Sequence, residues 1–573
     1  MNPKVDRVLL AWLILCGLIA LAWCNALHAD FTYDDRIEVI GNRTIRSATE
    51  WQEIFSYNWS RPIVLASYAF NFRISPTDPF GYHLFDVLLQ AANAGFAFLL
   101  IRELLLLNRN KTPLLIAFFT AAIWAIHPLA TESVTYITGR SEQLLAFFYL
   151  YGGWLWTRWL RKGGVLLFLG AWAAVIGAGL CKESAATLPV FYFLIDYLLR
   201  PKDSPAAQRH WAILPGIVLL VGFLGLRWML EGTIGHPNPQ RDMQTQILTQ
   251  GEVLWRYAGL FVLPIGQSIF HDHPEAGLSV KPLLALTGWL AVLGFAYRKR
   301  KSDPIMVLGF GLFLLAMAPT FFVPLRETMA EHRTYVGSLG LALMAAYSLA
   351  AFNQRIQLYT CSTLVVLLLT ATHLRNKTWV SEVDLWADAA QKNPSSRDAH
   401  YGHGEAQRFA ITNARYSPEE IDDIDPIGAY ESALEIDPTH INSLNNIGIV
   451  YSQQLEFEKA QKAWQSVLKI DPKNCRAHIN LGKTKVDLDD DMGALKELMT
   501  ARTYCKENPM PHYFLGLLFD PKENKLNNPD KAIFHYQQLL LLDSAFGCPF
   551  GKKVEGQRCI AEEIRENLNR LTW

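Results

Sequence analysis

The first 375 residues alternate between long apolar segments and short polar connections, whereas the residues after them are polar with scattered apolar positions. Residues 8–26 are nearly all apolar, and about 20 such residues cross a bilayer as a helix. Ten further apolar segments follow, at residues 83–107, 113–129, 144–160, 165–180, 185–199, 212–229, 282–297, 305–322, 336–352 and 358–373. The pattern predicts an all-α, polytopic transmembrane helical bundle of about eleven spans.

Basic residues between the segments orient this predicted bundle. Lys4 and Arg7 precede the first segment, which puts the N-terminus in the cytoplasm by the positive-inside tendency. The later basic clusters all fall on the cytoplasmic side if residues 252–270 do not cross. The first connection, residues 28–82, and everything after the last span are then extracytoplasmic. Within that connection, residues 62–74 form an amphipathic run that suits a helix at the interface.

The polar end carries a repeat with a period of 34 residues. Pro438 and Pro472 are separated by that interval, which is the tetratricopeptide period. Apolar residues between them fall on the small and large packing positions of such a repeat, for example Gly448 and Trp464. A second unit follows around Gly482, and stretched units surround it. We predict two domains: a transmembrane domain at residues 1–375 and an extracytoplasmic tetratricopeptide-repeat α-solenoid at residues 376–573.

Composition supports the division and excludes one class of partner. A chain of 573 residues is too long for one compact core. Its 53 basic and 53 acidic residues cancel, so bulk charge gives no indication of nucleic-acid binding. The polar end has four cysteines, and an even set permits disulfides in an oxidising compartment, although their pairing does not follow from sequence: Cys475, Cys505, Cys548 and Cys559.

The candidate chemistry begins with two adjacent acids just after the first apolar segment, Asp34 and Asp35. A partly buried carboxylate with a like-charged neighbour has a raised proton affinity, which suits a general base acting on a hydroxyl. A solvated acidic loop is the alternative interpretation of such a pair. The predicted topology favours chemistry, because it brings further acids and cations to the same membrane face: Arg61, His83, His127, Glu132, Lys182, Glu183, Glu331, His332 and Arg333. Cations there can bind a phosphate.

An ordered set of short motifs resembles a known family. The set runs through Phe31-Thr32-Tyr33-Asp34-Asp35, Arg61-Pro62-Ile63-Val64, Gly81-Tyr82-His83, His127-Pro128, Thr131-Glu132, Gly139-Arg140, Lys182-Glu183 and Ala330-Glu331 with Arg333. It is similar to polytopic glycosyltransferases of the GT-C type, and within them to the transmembrane and tetratricopeptide-repeat O-mannosyltransferases and their bacterial relatives. The chain departs from the pattern at Asp86, where an amide is expected, and at His332, which interrupts a Glu-Arg run.

The resemblance implies transfer of a sugar, with a mannose-like hexose favoured, from a polyprenyl-phosphate donor to an acceptor hydroxyl outside the cytoplasm. Asp34 and Asp35 look like the catalytic base site, without a choice between the two. The donor phosphate would be held by Arg61, Lys182 and Arg333. The pocket would be shaped by His83, His127, Glu132, Arg140, Glu183 and Glu331.

The implied acceptor is Ser or Thr of an extracytoplasmic protein. The repeats would present this acceptor, and the alternative interpretation is a passive solenoid for oligomerisation or partner docking. Metal dependence varies among such enzymes, so a divalent metal is compatible with the resemblance but no cofactor is assigned. His271-Asp272-His273 lacks a further spaced ligand and is interpreted as a solvated loop. We expect a bacterial inner membrane with periplasmic repeats, or equivalently an endoplasmic reticulum membrane. A lipid-linked glycan ligase or polymerase and a non-catalytic repeat scaffold are the alternative functions.

Overall fold

The computed structural model describes residues 3–47, 51–200, 210–232, 240–412, 424–523, 525–543 and 560–572. Every regular element within these residues is helical, which confirms the predicted all-α class. The chain divides into two compact units, Met1–Asp388 and Ala389–Trp573.

The first unit is built from thirteen longer helices among its described residues, joined by short helical turns. In chain order they are α1 Pro3–Trp23, α2 Pro62–Ile74, α3 Pro79–Leu107, α4 Pro113–Ala125, α5 Arg140–Lys162, α6 Val165–Gly179, α7 Leu188–Leu199, α8 Leu214–Glu231, α9 Met243–Val262, α10 Val280–Lys299, α11 Pro304–Phe322, α12 Tyr335–Leu349 and α13 Gln354–Asn376.

Each of the eleven predicted apolar segments lies largely on one of these helices. In the described part of the chain, five helical segments are long and apolar enough to cross a membrane, and a sixth is obtained if α4 and the bent segment after it count as one span. The other apolar helices are shorter or carry charges: α7 has 12 residues and would extend only about 18 Å. Length and composition therefore do not fix the number of spans.

Small residues and aromatic rings hold the bundle together. A Cβ added at Gly340 of α12 would lie 2.1 Å from the carbonyl oxygen of Gly309 in α11, so only glycine allows this close approach. The fully buried rings of Trp156 and Tyr192 stack with centroids 4.9 Å apart. On the outside, α10 leaves large apolar side chains exposed, such as Leu290 at 67%, as expected of a helix that faces lipid.

The second unit stacks helices in pairs. Its longer described helices are α14 Arg397–Thr412, α15 Pro426–Ile436, α16 Ile441–Gln453, α17 Phe457–Ile470, α18 Cys475–Asp487, α19 Asp491–Tyr504, α20 Met510–Phe519, α21 Pro529–Leu542 and α22 Ile560–Thr572. Trp464 of α17 packs beside Gly448 of α16 and donates a hydrogen bond to the Asn445 carbonyl oxygen at 3.1 Å. The predicted repeat packing at residues 438–472 is thus present.

A disulfide joins Cys475, at the start of α18, to Cys505, just after α19. It links the two ends of one helix pair across a sequence separation of 30 residues. This is the pairing that the sequence left open. The other two cysteines of the polar end, Cys548 and Cys559, lie outside the described residues.

Candidate active site

Asp35 closes the turn that carries the acidic pair. Its side chain is fully buried, and its Oδ1 accepts hydrogen bonds from the Thr138 backbone N–H at 2.8 Å and the Thr138 hydroxyl at 2.6 Å. The other oxygen accepts from the Thr32 N–H at 3.1 Å. Tyr33, which follows Thr32 in this turn, has a left-handed φ of 51°, which is uncommon for a residue other than glycine. Burial raises the pKa of Asp35 to about 7, even though these hydrogen bonds oppose the rise.

Asp34 belongs to the same turn, and it lines a cavity. Its backbone N–H donates to the Tyr136 hydroxyl at 3.2 Å, which ties the turn to the segment before α5. The side chain is half-buried. Burial raises the pKa of Asp34, while a hydrogen bond with Tyr136 and the nearby His332 and Arg36 work against the rise. Of the two acids, Asp34 is therefore the one placed to meet a substrate.

The cavity beside Asp34 has a volume of about 620 Å³. Its wall comes from several separate parts of the first unit: the start of α2, α5, the turn after α6, α8, the end of α11 and the segment before α12. All three predicted phosphate-binding cations line it, and so does one predicted pocket acid: Arg61, Lys182, Arg333 and Glu183. The fold thus brings residues from 34 to 333 into one cavity.

Carboxylates hold two of these cations in place. Arg61 Nη2 lies 3.0 Å from Glu183 Oε2, and Lys182 Nζ lies 2.6 Å from Glu142 Oε1. Burial alone would raise the pKa of Glu183, but Arg61, Lys182 and a backbone hydrogen bond together lower that pKa to about 2. Each carboxylate engages only part of its cation, so the remaining N–H groups can bind an anion that enters the cavity.

Arg333 is held from the loop that precedes it. Its Nη1 donates to the Glu327 carbonyl oxygen at 3.0 Å, and its Nη2 lies 3.6 Å from the Glu327 carboxylate. The same carboxylate accepts a hydrogen bond from the Tyr33 hydroxyl at 3.3 Å. Glu327 thereby connects a cation of the cavity to the turn that carries Asp34.

Arg140 and both predicted pocket histidines lie outside the lining of this cavity. Arg140 is fully buried and forms an ion pair with Asp86, with Nε and Oδ1 2.6 Å apart. Asp86, which stands where the family pattern has an amide, thus supplies the counter-charge for Arg140. His83 contacts the Ala29 carbonyl oxygen at 2.9 Å, and His127 contacts that of Phe261 at 2.9 Å. All three side chains are buried in the helical packing.

Glu132 and Glu331 lie behind the cavity wall rather than in it. Glu132 Oε1 is 2.5 Å from His332 Nδ1, and His332 lines the cavity. Glu331 is 1% exposed and contacts His271 Nε2 at 2.8 Å. Among the described residues, no group of three or more His, Cys, Asp or Glu side chains is arranged to hold a metal ion.

Several residues that shape the site were not found from the sequence. Tyr136 and Thr138 hold the acidic turn, and Glu142 and Glu327 hold two of the cations. Thr138 sits beside Gly139-Arg140, a motif that was noted for its arginine alone. Glu142, two residues further on, had the signal of an acid next to an apolar segment.

A second, largely apolar cavity of about 620 Å³ meets the first at Glu183, which lines both. Its walls come from α6, α7, α8 and the segment before α2, with side chains such as Trp59, Ile176 and Phe223. The Trp59 and Phe223 rings lie 6.2 Å apart. A charged cavity thus adjoins an apolar one, as the head and tail of an amphiphile require.

Fold and site together define a membrane-embedded helical protein that joins an acid-and-cation cavity to a tetratricopeptide-repeat unit. A family profile described as tetratricopeptide repeat matches residues 429–462, which fall on α15 to α17. A solved structure of the MamA protein aligns with 31% of this chain and 86% of its own at 20% identity, with a TM-score of 0.23.

Two curated proteins match over most of the chain. Protein O-mannosyl-transferase Tmtc3 of Drosophila melanogaster is 22% identical and covers 84% of this chain and 57% of its own length. Protein O-mannosyl-transferase TMTC3 of Homo sapiens is 21% identical, with 86% and 54% covered. The resemblance inferred from the motifs is confirmed: over most of its length the chain is similar to the transmembrane and tetratricopeptide-repeat O-mannosyl-transferases. It spans about half the length of these relatives.

Proposed function

We propose that the protein is a membrane glycosyltransferase that moves a hexose, with mannose favoured, from a polyprenyl-phosphate donor to a Ser or Thr hydroxyl of a protein. The observation that carries the proposal is the single cavity in which Asp34 lies, in the described part of the chain, with five cationic side chains, among them Arg61, Lys182 and Arg333. The names of the relatives support the reaction class.

In the proposed reaction Asp34 is the general base. Its carboxylate takes the proton of the acceptor hydroxyl as that oxygen attacks the anomeric carbon. The bond from that carbon to the phosphate breaks, and its electron pair stays on the phosphate oxygen. Arg61, Lys182 and Arg333 stabilise the charge that develops there. Asp35 does not react, because Thr138 and Thr32 engage it in closing the turn.

The apolar cavity supports a lipid-linked donor over a soluble nucleotide sugar. It meets the charged cavity at Glu183, so a phosphate beside Arg61 would place an attached polyprenyl chain against α6, α7 and α8. Burial of that chain contributes about 25 cal/mol per Å² of apolar surface removed from water. A soluble sugar donor would leave this cavity without a role.

The repeat unit is assigned to the acceptor and to the extracytoplasmic side. Tetratricopeptide solenoids offer an extended surface for peptides, so this unit is proposed to bind the acceptor protein. The Cys475–Cys505 disulfide supports an oxidising compartment. Periplasmic repeats on a bacterial inner membrane fit this, as do luminal repeats in the endoplasmic reticulum.

The test is mass spectrometry of extracytoplasmic proteins from cells that carry the intact chain, Asp34→Asn or Asp35→Asn. We expect a hexose on Ser or Thr with the intact chain and its loss in Asp34→Asn. Asp35→Asn keeps a hydrogen-bonding side chain in the turn and should retain part of the activity. Glycoproteins that are identical in all three strains would refute the proposal.

A further inference from the structure

His332 presents one ring nitrogen to the charged cavity. Its Nδ1 lies 2.5 Å from Glu132 Oε1, and its backbone N–H donates to Glu132 Oε2 at 3.0 Å. The first contact orients the ring, and the second holds the backbone that carries it. The side chain is 23% exposed and lines the cavity. Among the described residues, Nε2 has no hydrogen-bond partner, so this nitrogen is free to meet a ligand.

The carboxyl group of Glu132 lies close to that of Glu331, and both are buried. Glu331 accepts three hydrogen bonds at 2.8 Å, from Gln267, Ser268 and His271. Burial acts to raise the pKa of Glu331, but His271, Arg375 and Gln267 together outweigh it and the pKa is lowered. Since two neighbouring buried carboxyl groups resist ionising together, Glu331 carries the charge and Glu132 keeps its proton.

That proton is shared across the contact between Glu132 Oε1 and His332 Nδ1. If it lies on the oxygen, the imidazole is neutral and Nδ1 accepts, so Nε2 carries the ring hydrogen. If it lies on Nδ1, the ring is an imidazolium and Nε2 again carries a hydrogen. In both arrangements the cavity is offered an N–H donor.

The charged groups nearest His332 are mixed in sign: Lys182, Glu142, Arg333 and Glu327, with Asp34 further along the same wall. The lining residues that the structure describes include five cationic side chains and four acidic ones, which suits an anionic ligand. The cations are Arg61, Lys182, Arg227, Arg326 and Arg333, and the acids are Asp34, Glu142, Glu183 and Glu327. Burial and the positive charge of Lys182 lower the pKa of His332 to about 3, so an isolated imidazolium is not maintained there. A phosphate between Lys182 and Arg333 supplies the missing negative charge.

We propose that the Glu132–His332 pair is the general acid of the transfer and protonates the departing lipid phosphate through His332 Nε2. This inference rests on the proposed function. As the bond between the anomeric carbon and the phosphate oxygen breaks, its electron pair stays on the phosphate, which takes the Nε2 proton. Nδ1 then takes the proton of Glu132. The acceptor proton resides on Asp34. The protonated phosphate leaves with one negative charge instead of two, and the carboxylate of Glu132 is left with one negative charge.

The experiment uses the full chain in detergent, with dolichyl-phosphate mannose and a Ser/Thr peptide as probes. His332→Gln keeps an N–H donor towards the phosphate but cannot give up a proton. We expect kcat to fall about 100-fold, as general acids contribute 10² to 10⁴. The KM for the donor should stay within about threefold. In the wild type kcat/KM should decline at high pH as the pair loses its proton, and in His332→Gln that decline should disappear.

His273→Gln is the matched control, because His273 lies near Glu252 and not at the charged cavity. It should keep the wild-type rate and the decline at high pH. If His332→Gln does not fold, Glu132→Gln tests the same proton and should also remove the decline. A raised KM with the decline retained would make His332 only an anchor and would overturn the inference. No transfer by the wild type from this donor or its glucosyl analogue would instead refute the proposed function.

Discussion

Thr138→Val tests the clamp that holds the acidic turn. The change removes one hydroxyl but keeps the shape of the side chain and the backbone N–H. Near pH 8 Asp35 is ionised, and the loss of a hydrogen bond to a charged group costs about 1.5–3 kcal/mol. Near pH 5 Asp35 is protonated, and the loss of a neutral hydrogen bond costs about 0.5–1.5 kcal/mol. The variant should therefore lose about 1 kcal/mol more at the higher pH, which corresponds to a rise of roughly one unit in the pKa of Asp35.

The sign follows from the raised pKa. Asp35 titrates near 7 in the folded protein and ordinarily near 3.8, so between these values the folded state binds more protons than the unfolded state. Its burial thus lowers stability as the pH rises through this window. Thr138→Val raises the pKa of Asp35 in the folded protein further, so the free energy of unfolding continues to fall at higher pH. The difference in the free energy of unfolding between the wild type and Thr138→Val should increase from pH 5 to pH 8.

Thermal unfolding of the detergent-solubilised chain is measured at both pH values with a dye that reacts with the buried thiols of Cys181 and Cys361. Thr138→Ser keeps the hydroxyl and should stay near the wild type. Thr157→Val is the matched control, because Thr157 is buried and donates at 2.7 Å to a neutral carbonyl of its own helix. Its effect should not depend on pH. Equal losses for Thr138→Val at both pH values would refute the reasoning.

Three further outcomes are expected. Arg61→Gln should lower kcat/KM for a polyprenyl-phosphate sugar at least tenfold, the equivalent of roughly 1.4 kcal/mol, because the guanidinium binds the phosphate and stabilises the charge that develops on it. An unaltered kcat/KM in steady-state assays would contradict this role. Gly448→Ala places a Cβ 2.4 Å from Trp464 Nε1, so overpacking should cost about 1–3 kcal/mol and speed hydrogen exchange in α16 and α17. Unchanged protection would argue against this packing. Cys475→Ser should lower the free energy of unfolding of the second unit by about 3 kcal/mol, because it removes the disulfide to Cys505. A reductant should lower the free energy of unfolding of the wild type by the same amount and leave that of the variant unchanged. A wild type that does not respond to the reductant would contradict the disulfide.

The membrane part of the fold followed from local pattern, but the roles of single residues did not. Apolar segments predicted where the helices lie, because a helix that faces lipid must be apolar along its length. Asp34 and Asp35 are adjacent acids in the same motif, and only their contacts separate them. Asp35 turns inward to Thr138, which is 103 residues away in the chain. Such a partner leaves no local trace in the sequence.

The predicted pocket residues show the same limit. Arg61 and Lys182 were grouped because the positive-inside pattern put them on one membrane face, and they line one cavity. Arg140 was grouped with them by motif alone, yet it pairs with Asp86 inside the bundle. Knowing that two residues lie on the same membrane face does not determine the distance between their side chains.

By itself the sequence determined the all-α class, the positions of the apolar segments and the 34-residue repeat, since each depends on periodicity along the chain. The tertiary structure alone decided that Asp34 reaches the cavity, that Cys475 pairs with Cys505 and that Glu132 orients His332. The disulfide joins residues 30 positions apart, and the contact between Glu132 and His332 joins residues 200 positions apart. Their geometry depends on how the helices pack rather than on any local preference.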